Sequence, residues 1–150
     1  MTVKQEYLKI VEENLDRGKF ISFVRYMAKV AEHKRCVTYK ELEQTFGLNH
    51  SQVGSYAGLF GYFCCYMEWP MMNSLIISST HCTPSDGFDV FQKYDGKDWG
   101  SIITECWKSF HVTTGSDNRV NYSGLDKSIT EFLDNFSQVF DANKIYPGVA

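Results

Sequence analysis

Apolar residues recur at helical intervals over most of the chain. Val3, Tyr7, Val11 and Leu15 lie four apart, and after Gly18 the residues Phe20, Phe23, Val24, Met27, Ala28 and Ala31 continue one stripe. That spacing predicts a helix with one buried face, either broken at Gly18 or built as two helices. A polar connection, "EHKRC", follows at residues 32–36. Next, Thr38 with Glu41 three residues later reads as a capping box, and Gly47 as the residue that stops the helix. Asn49 with Gln52 opens another helix, with Leu48 and Val53 spaced for a hydrophobic staple. Val53, Tyr56, Ala57, Phe60, Cys64 and Met67 form its stripe until Pro70 forbids continuation.

Beyond Pro70 the period changes. "SLIISST" (residues 74–80) is β-branched and apolar, which predicts a strand, and "TPSDGF" carries a turn signal. "FDVFQKY" predicts a second strand, with Phe88, Val90 and Gln92 alternating against Asp89 and Phe91. A further helix starts near Asp98 on Trp99, Ile102, Ile103, Cys106 and Phe110. The polar run from His111 to Gly124 reads as a surface loop. Leu125, Ile129, Phe132, Leu133, Phe136, Val139 and Phe140 then predict a last helix, with a tail from about residue 143. Two helices on a short turn, followed by two antiparallel strands, is the order of a winged helix. The expected fold is therefore α+β and winged-helix-like: a helix-turn-helix and a short antiparallel β-hairpin flanked by N- and C-terminal helices. The expectation is one domain, with N-terminal helices over 1–36, helix-turn-helix and hairpin over 37–96, C-terminal helices over 97–142 and a tail over 143–150.

At 150 residues the chain is long enough to bury a core without disulfides or metals. No apolar run reaches the ~18 residues of a membrane span, and the opening "MTVKQEYLKIVEENL" lacks the apolar segment of a signal peptide. A cytoplasmic protein with no membrane partner is expected. Its five cysteines, an odd number, are expected to be reduced and mostly packed as small hydrophobes. A zinc site from Cys64, Cys65, His81 and Cys82 is poorly spaced, since neighbours on a helix point about 100° apart. Asp86, Asp89, Asp95 and Asp98 lack calcium-loop spacing and read as turn and cap residues. No metal or cofactor is expected.

Charge changes the picture most. The net charge is −3, yet residues 1–36 carry eight Lys/Arg against five Asp/Glu, while no lysine or arginine occurs from Glu41 to Gln92. Phosphate contact dominates nucleic-acid affinity and draws on such cations. A groove-reading role for this helix pair would therefore rest on Tyr39, Ser51 and Gln52, with Lys34 and Arg35 supplying the charge. Catalysis by Cys82 would need a base or a positive field to make a thiolate. His81 is its neighbour but would face the other way on a strand.

"VTYKELEQTFGLNHSQVGSYAG", with "SDGF" about thirty residues on, resembles the winged-helix domain of O6-alkylguanine alkyltransferases and alkyltransferase-like proteins. The positions carrying the resemblance are Thr38, Tyr39, Glu41, Leu42, Gly47, Val53 and Gly54. It implies a DNA-binding scaffold for roughly residues 37–88. The family's Pro-Cys-His-Arg tetrad is replaced by "NSLIISST", and Ser51 stands where its arginine finger would be. Neither alkyl transfer nor arginine-driven base flipping carries over.

The function expected from these readings is a non-catalytic module that binds another protein, of an inhibitor, immunity or accessory type. Tyr62, Tyr66, Trp69 and Met71 are its expected contact surface, because aromatics and methionines are favoured in interfaces. A DNA-binding protein is the alternative, and an enzyme centred on Cys82 the second.

Overall fold

The computed structural model describes residues 1–111 and 120–143. In chain order the elements are α1 (Val3–Lys9), α2 (Arg17–Glu32), β1 (Val37–Thr38), α3 (Tyr39–Phe46), α4 (His50–Tyr66), β2 (Ile76–Ile77), α5 (Asp89–Asp95), α6 (Trp99–Phe110), α7 (Leu125–Asp134) and α8 (Phe136–Asn143). A π turn, Ile10–Asn14, extends α1, and short 3-10 turns cover Met72–Leu75 and Asp86–Phe88.

Helix α4 holds the centre. It contains no Lys, Arg, Asp or Glu, and every residue from Tyr56 to Cys64 is buried. A helix apolar on all sides needs neighbours on all sides. Tyr62 meets Tyr7 of α1, Phe91 of α5, and Phe136 and Phe140 of α8, with ring centroids 5.1, 5.3, 5.9 and 5.2 Å away. Phe23 of α2 lies against Tyr56 and Phe60, and Phe132 of α7 against Phe63. Two helical glycines permit this closeness. A β-carbon on Gly58 would strike the Tyr7 hydroxyl, and one on Gly61 would stand 2.5 Å from both the Asn73 amide and the Phe91 ring.

Local chemistry sets the helix ends as expected. Thr38 accepts from the Glu41 N–H, Gly47 adopts φ 64°, and Asn49 and Gln52 form a reciprocal capping box. The Glu41 carboxylate turns elsewhere and takes Arg35 and the Tyr26 hydroxyl. The first break falls at Leu15–Asp16 rather than at Gly18, because Asp16 caps α2 through the Lys19 N–H. The last helix divides at Asn135 into α7 and α8.

The α+β, winged-helix-like expectation is overturned. The described residues are mostly helical, and their only strands are two-residue segments paired in parallel, Val37 with Ile76 and Thr38 with Ile77. No antiparallel hairpin forms among them. Two local causes account for this. Ser78 ends β2 at once: its hydroxyl accepts from the Thr80 and His81 N–H groups, and its carbonyl from Cys82 N–H at 2.8 Å. The presumed second strand is α5, because helical spacing buries both Phe88 and Phe91, whereas strand alternation would turn Phe91 outward and Gln92 in.

Most of the expected surface loop, residues 111–124, and of the expected tail, residues 143–150, lies outside the described residues. The flanks of the first segment are tied to the end of α2. His111 Nδ1 lies 2.9 Å from the Glu32 carbonyl, and the Tyr122 hydroxyl donates to the buried Glu32 carboxylate at 2.9 Å.

Candidate functional site

The parallel pair has one consequence for the surface. Holding Ile76 beside Val37 brings the irregular segment 78–86 against the first turns of α3 and α4. Between them lies an open cleft of about 540 Å³. One wall carries Tyr39, Lys40 and Glu43 of α3 with His50 at the start of α4. The other carries Ser78, Ser79, Thr80, His81, Thr83, Pro84, Ser85 and Asp86.

Each wall is fixed by its own bonds. The Ser78 N–H donates to the Thr83 carbonyl at 2.9 Å, closing segment 78–83 on itself, with Cys82 in a left-handed conformation at φ 56°. The Tyr39 hydroxyl and Ser85 Oγ share a hydrogen bond of 2.7 Å, joining one wall to the other. The Tyr39 and His50 rings lie 5.6 Å apart, and His50 Nδ1 is 3.6 Å from the Glu43 carboxylate. Hydrogen bonding thus ties one wall to the other, and hydroxyls, two imidazoles, one ammonium and two carboxylates line the cleft.

The expected aromatic contact surface is not a surface. Tyr62 is 1% exposed and Met71 3%, both in the core. Trp69 is half-buried, edge-on to Phe63 and Phe110 at 5.5 and 5.1 Å. Tyr66 alone of the four is exposed, at 37%. The residues of the DNA alternative fall partly together. Tyr39 lines the cleft, and Ser51 and Gln52 are exposed at the start of α4, but Arg35 is held 2.8 Å from Glu41. Of the amino-terminal cations, Lys19 comes near the α3–α4 turn, its Nζ 3.9 Å from where a β-carbon on Gly47 would sit.

Four of the thiols are set against chemistry. Cys64 and Cys106 are fully buried. Burial pushes the Cys64 thiol well up and the Cys65 and Cys106 thiols up to about 12, so they stay protonated at neutral pH. Burial also raises the Cys36 thiol. Cys82 is exposed on a turn beyond β2. Among the described residues no three His, Cys, Asp or Glu side chains converge as metal ligands do, and no helix is long and apolar enough to cross a membrane.

The cleft escaped sequence reasoning because its walls are some forty residues apart and meet only through the Val37–Ile76 pairing. The available signal was "STHCTPSDG", a dense run of hydroxyl and turn residues. Comparison with protein-family models, curated proteins and solved structures finds no match for this chain.

Proposed function

We propose that this protein is a non-catalytic binding module that recognises another protein, and that the partner engages the cleft between α3, the start of α4 and residues 78–86. The observation that carries the reading is the concave wall of solvent-facing Ser79, Thr80, His81 and Thr83 opposite Lys40, Glu43 and His50. Polar groups clustered on a rigid helical scaffold are a usual arrangement for recognition. Two further facts support binding over chemistry. The buried thiols are poor nucleophiles, and the imidazole of His50 is directed at Glu43 rather than at a nucleophilic side chain.

The DNA alternative finds less support. The cleft and the exposed start of α4 offer Lys40 as their fixed cation, set against Glu43 and Asp86. Duplex contact would need several such cations.

The test is affinity capture from extracts of the source cell with the native chain and with Ser79→Trp, which fills the cleft from an exposed position. Lys127→Glu on α7 serves as a remote control. The reading expects a protein captured by the native chain and the control, and lost with Ser79→Trp at unchanged circular dichroism. Capture that survives Ser79→Trp, or that disappears on nuclease treatment, overturns it.

A further inference from the structure

The two walls of the cleft are held in different ways. Tyr39, Lys40 and Glu43 stand on α3, whereas the opposite wall has almost nothing apolar to seat it. From Ser78 to Gly87 the chain carries no Val, Leu, Ile, Met, Phe, Tyr or Trp. Every residue from Ser79 to Gly87 is exposed except the half-buried Pro84. The run is bracketed by buried residues, Ile76 paired with Val37 and Phe88 beside Phe91. Its backbone bonds turn inward, from the Ser78 N–H to the Thr83 carbonyl and from the Cys82 N–H to the Ser78 carbonyl. Among the described residues, one hydrogen bond ties residues 79–87 to a helix across the cleft, between the Tyr39 hydroxyl and Ser85 Oγ at 2.7 Å. A segment with few buried apolar contacts has low local stability.

We propose that residues 78–87 form a strap that swings as one body between Ile77 and Phe88, and that the Tyr39–Ser85 hydrogen bond is its latch. The hinges lie at element ends, where a few small residues absorb the rotation. One is Ser78, where β2 stops, and the other is the turn Asp86–Phe88, where Gly87 has no side chain to resist. The Phe88 N–H bond to the Ser85 carbonyl, 3.0 Å, is the backbone bond that crosses this second hinge. The strap stays whole as it moves because its other backbone bonds run within it. They also hold Cys82 at φ 56°, a conformation that few residues other than glycine adopt. The fixed half of the latch is Tyr39, half-buried at the start of α3 with its ring 5.6 Å from that of His50. An exposed hydroxyl pair exchanges its bond for water at small net cost. Burial of Ile76 and Phe88 keeps both anchors in place while the latch opens. Latched, the strap sets Ser79, Thr80, His81 and Thr83 opposite Lys40 and Glu43; unlatched, the cleft loses that wall. The device stands on the fold alone. Its consequence for recognition rests on the reading of the cleft as a docking site: a partner that needs both walls meets only the latched fraction of the chain.

The experiment places a nitroxide on the exposed Cys82 of the 15N-labelled full chain by brief labelling, and reads amide broadening across the cleft over residues 39–46. The proteins compared are the native chain, Tyr39→Phe, Ser85→Ala, the two changes together, and Thr80→Ala. Either latch change is expected to raise the unlatched population roughly two- to tenfold, the range of one net hydrogen bond between neutral groups, and so to weaken the broadening. The double change should go no further than either single one, because both remove the same bond. Thr80→Ala takes away a strap hydroxyl outside the latch and should match the native chain. Ser85 is exposed and Tyr39→Phe keeps its ring, so the amide shifts of α4 should be unmoved in every variant. Broadening that is unchanged in both latch variants overturns the proposal. So does a double change that loosens the strap by about the sum of the singles, or a Thr80→Ala chain that loosens as much as Ser85→Ala. The two readings fail separately: capture indifferent to Ser79→Trp removes the docking site and leaves the strap, while unchanged broadening removes the strap and leaves the docking site.

Discussion

Cys82 and Cys106 show how position, not residue type, decides what a thiol does. Cys106 sits on the buried face of α6, its Sγ 3.6 Å from the Met71 carbonyl and 3.8 Å from the Ser74 hydroxyl. Cys82 stands exposed on the turn after β2. A thiol reacts as its thiolate and only where reagent can reach it. Maleimide at neutral pH is therefore expected to modify Cys82 promptly in the folded protein, the half-buried Cys36 and Cys65 far more slowly, and Cys64 and Cys106 only after unfolding. Peptide mass spectrometry of a time course reads this directly, and early labelling of Cys64 or Cys106 would contradict the packing described. The sequence could announce reduced thiols but not which one was accessible. Exposure depended on Ser78 ending β2 early, a side-chain event that no hydropathy pattern records.

Among the elements, α4 was both the most legible and the most misleading. Its start follows from Asn49 and Gln52, as chain-local capping predicts, and its end comes at Met67, where Glu68 turns left-handed at φ 57° ahead of Pro70. Its outer aromatics invite a reading as an interface only while one face of the helix is assumed to be wet. The informative signal was the lack of charge from Ser51 to Met67, which marks burial on every side. The glycines then separate by neighbour. Gly61→Ala drives a methyl group into Asn73 and Phe91, both buried, and is expected to cost about 1–3 kcal/mol. Gly54→Ala meets nothing within 4 Å on an exposed helical position and should stabilise by up to about 1 kcal/mol. Urea unfolding of the two variants gives opposite signs if the helix is seated as described. Residues 88–94 were ambiguous for a physical reason: Phe88 and Val90 fit strand alternation, Phe88 and Phe91 fit one helical face, and only the close packing of Phe91 on Gly61, invisible in the sequence, shows which pair is buried.

For the whole molecule, burial of weak acids sets a pH limit. The Cys65 and Cys106 thiols are raised from 9.0 to about 12 and the Tyr7 phenol from 10.0 to about 12, in each case first by burial. Below the unfolded values both states keep these protons, and the stabilisation is intact. As pH rises from about 9 to about 12 the unfolded chain sheds them while the folded chain retains them, so stability falls. Cys106 alone accounts for a loss on the order of 4 kcal/mol by the end of that window. Thermal melts between pH 7 and 11 should show Tm declining from about pH 9, and Cys106→Ser, after its own cavity cost, should flatten the slope. A Tm that is level across that range would contradict the burial of these groups. The helical periodicity that fixes this core was largely readable along the chain. The meeting of distant segments was not, because a two-residue parallel pair leaves almost no pattern of its own, and the candidate cleft exists only through that pair.

The seam between α1 and α8 has a practical corollary. With the Lys4 ammonium 2.9 Å from the Asp141 carboxylate, the two ends of the described structure are neighbours over α4. A short flexible bridge between them would let the backbone be reopened elsewhere, for instance at the exposed corner around Gly96. Such a circularly permuted chain would keep the packing of Tyr62 against Tyr7, Phe91, Phe136 and Phe140 while changing the order in which they leave the ribosome, which makes this protein a convenient substrate for asking whether synthesis order matters to folding.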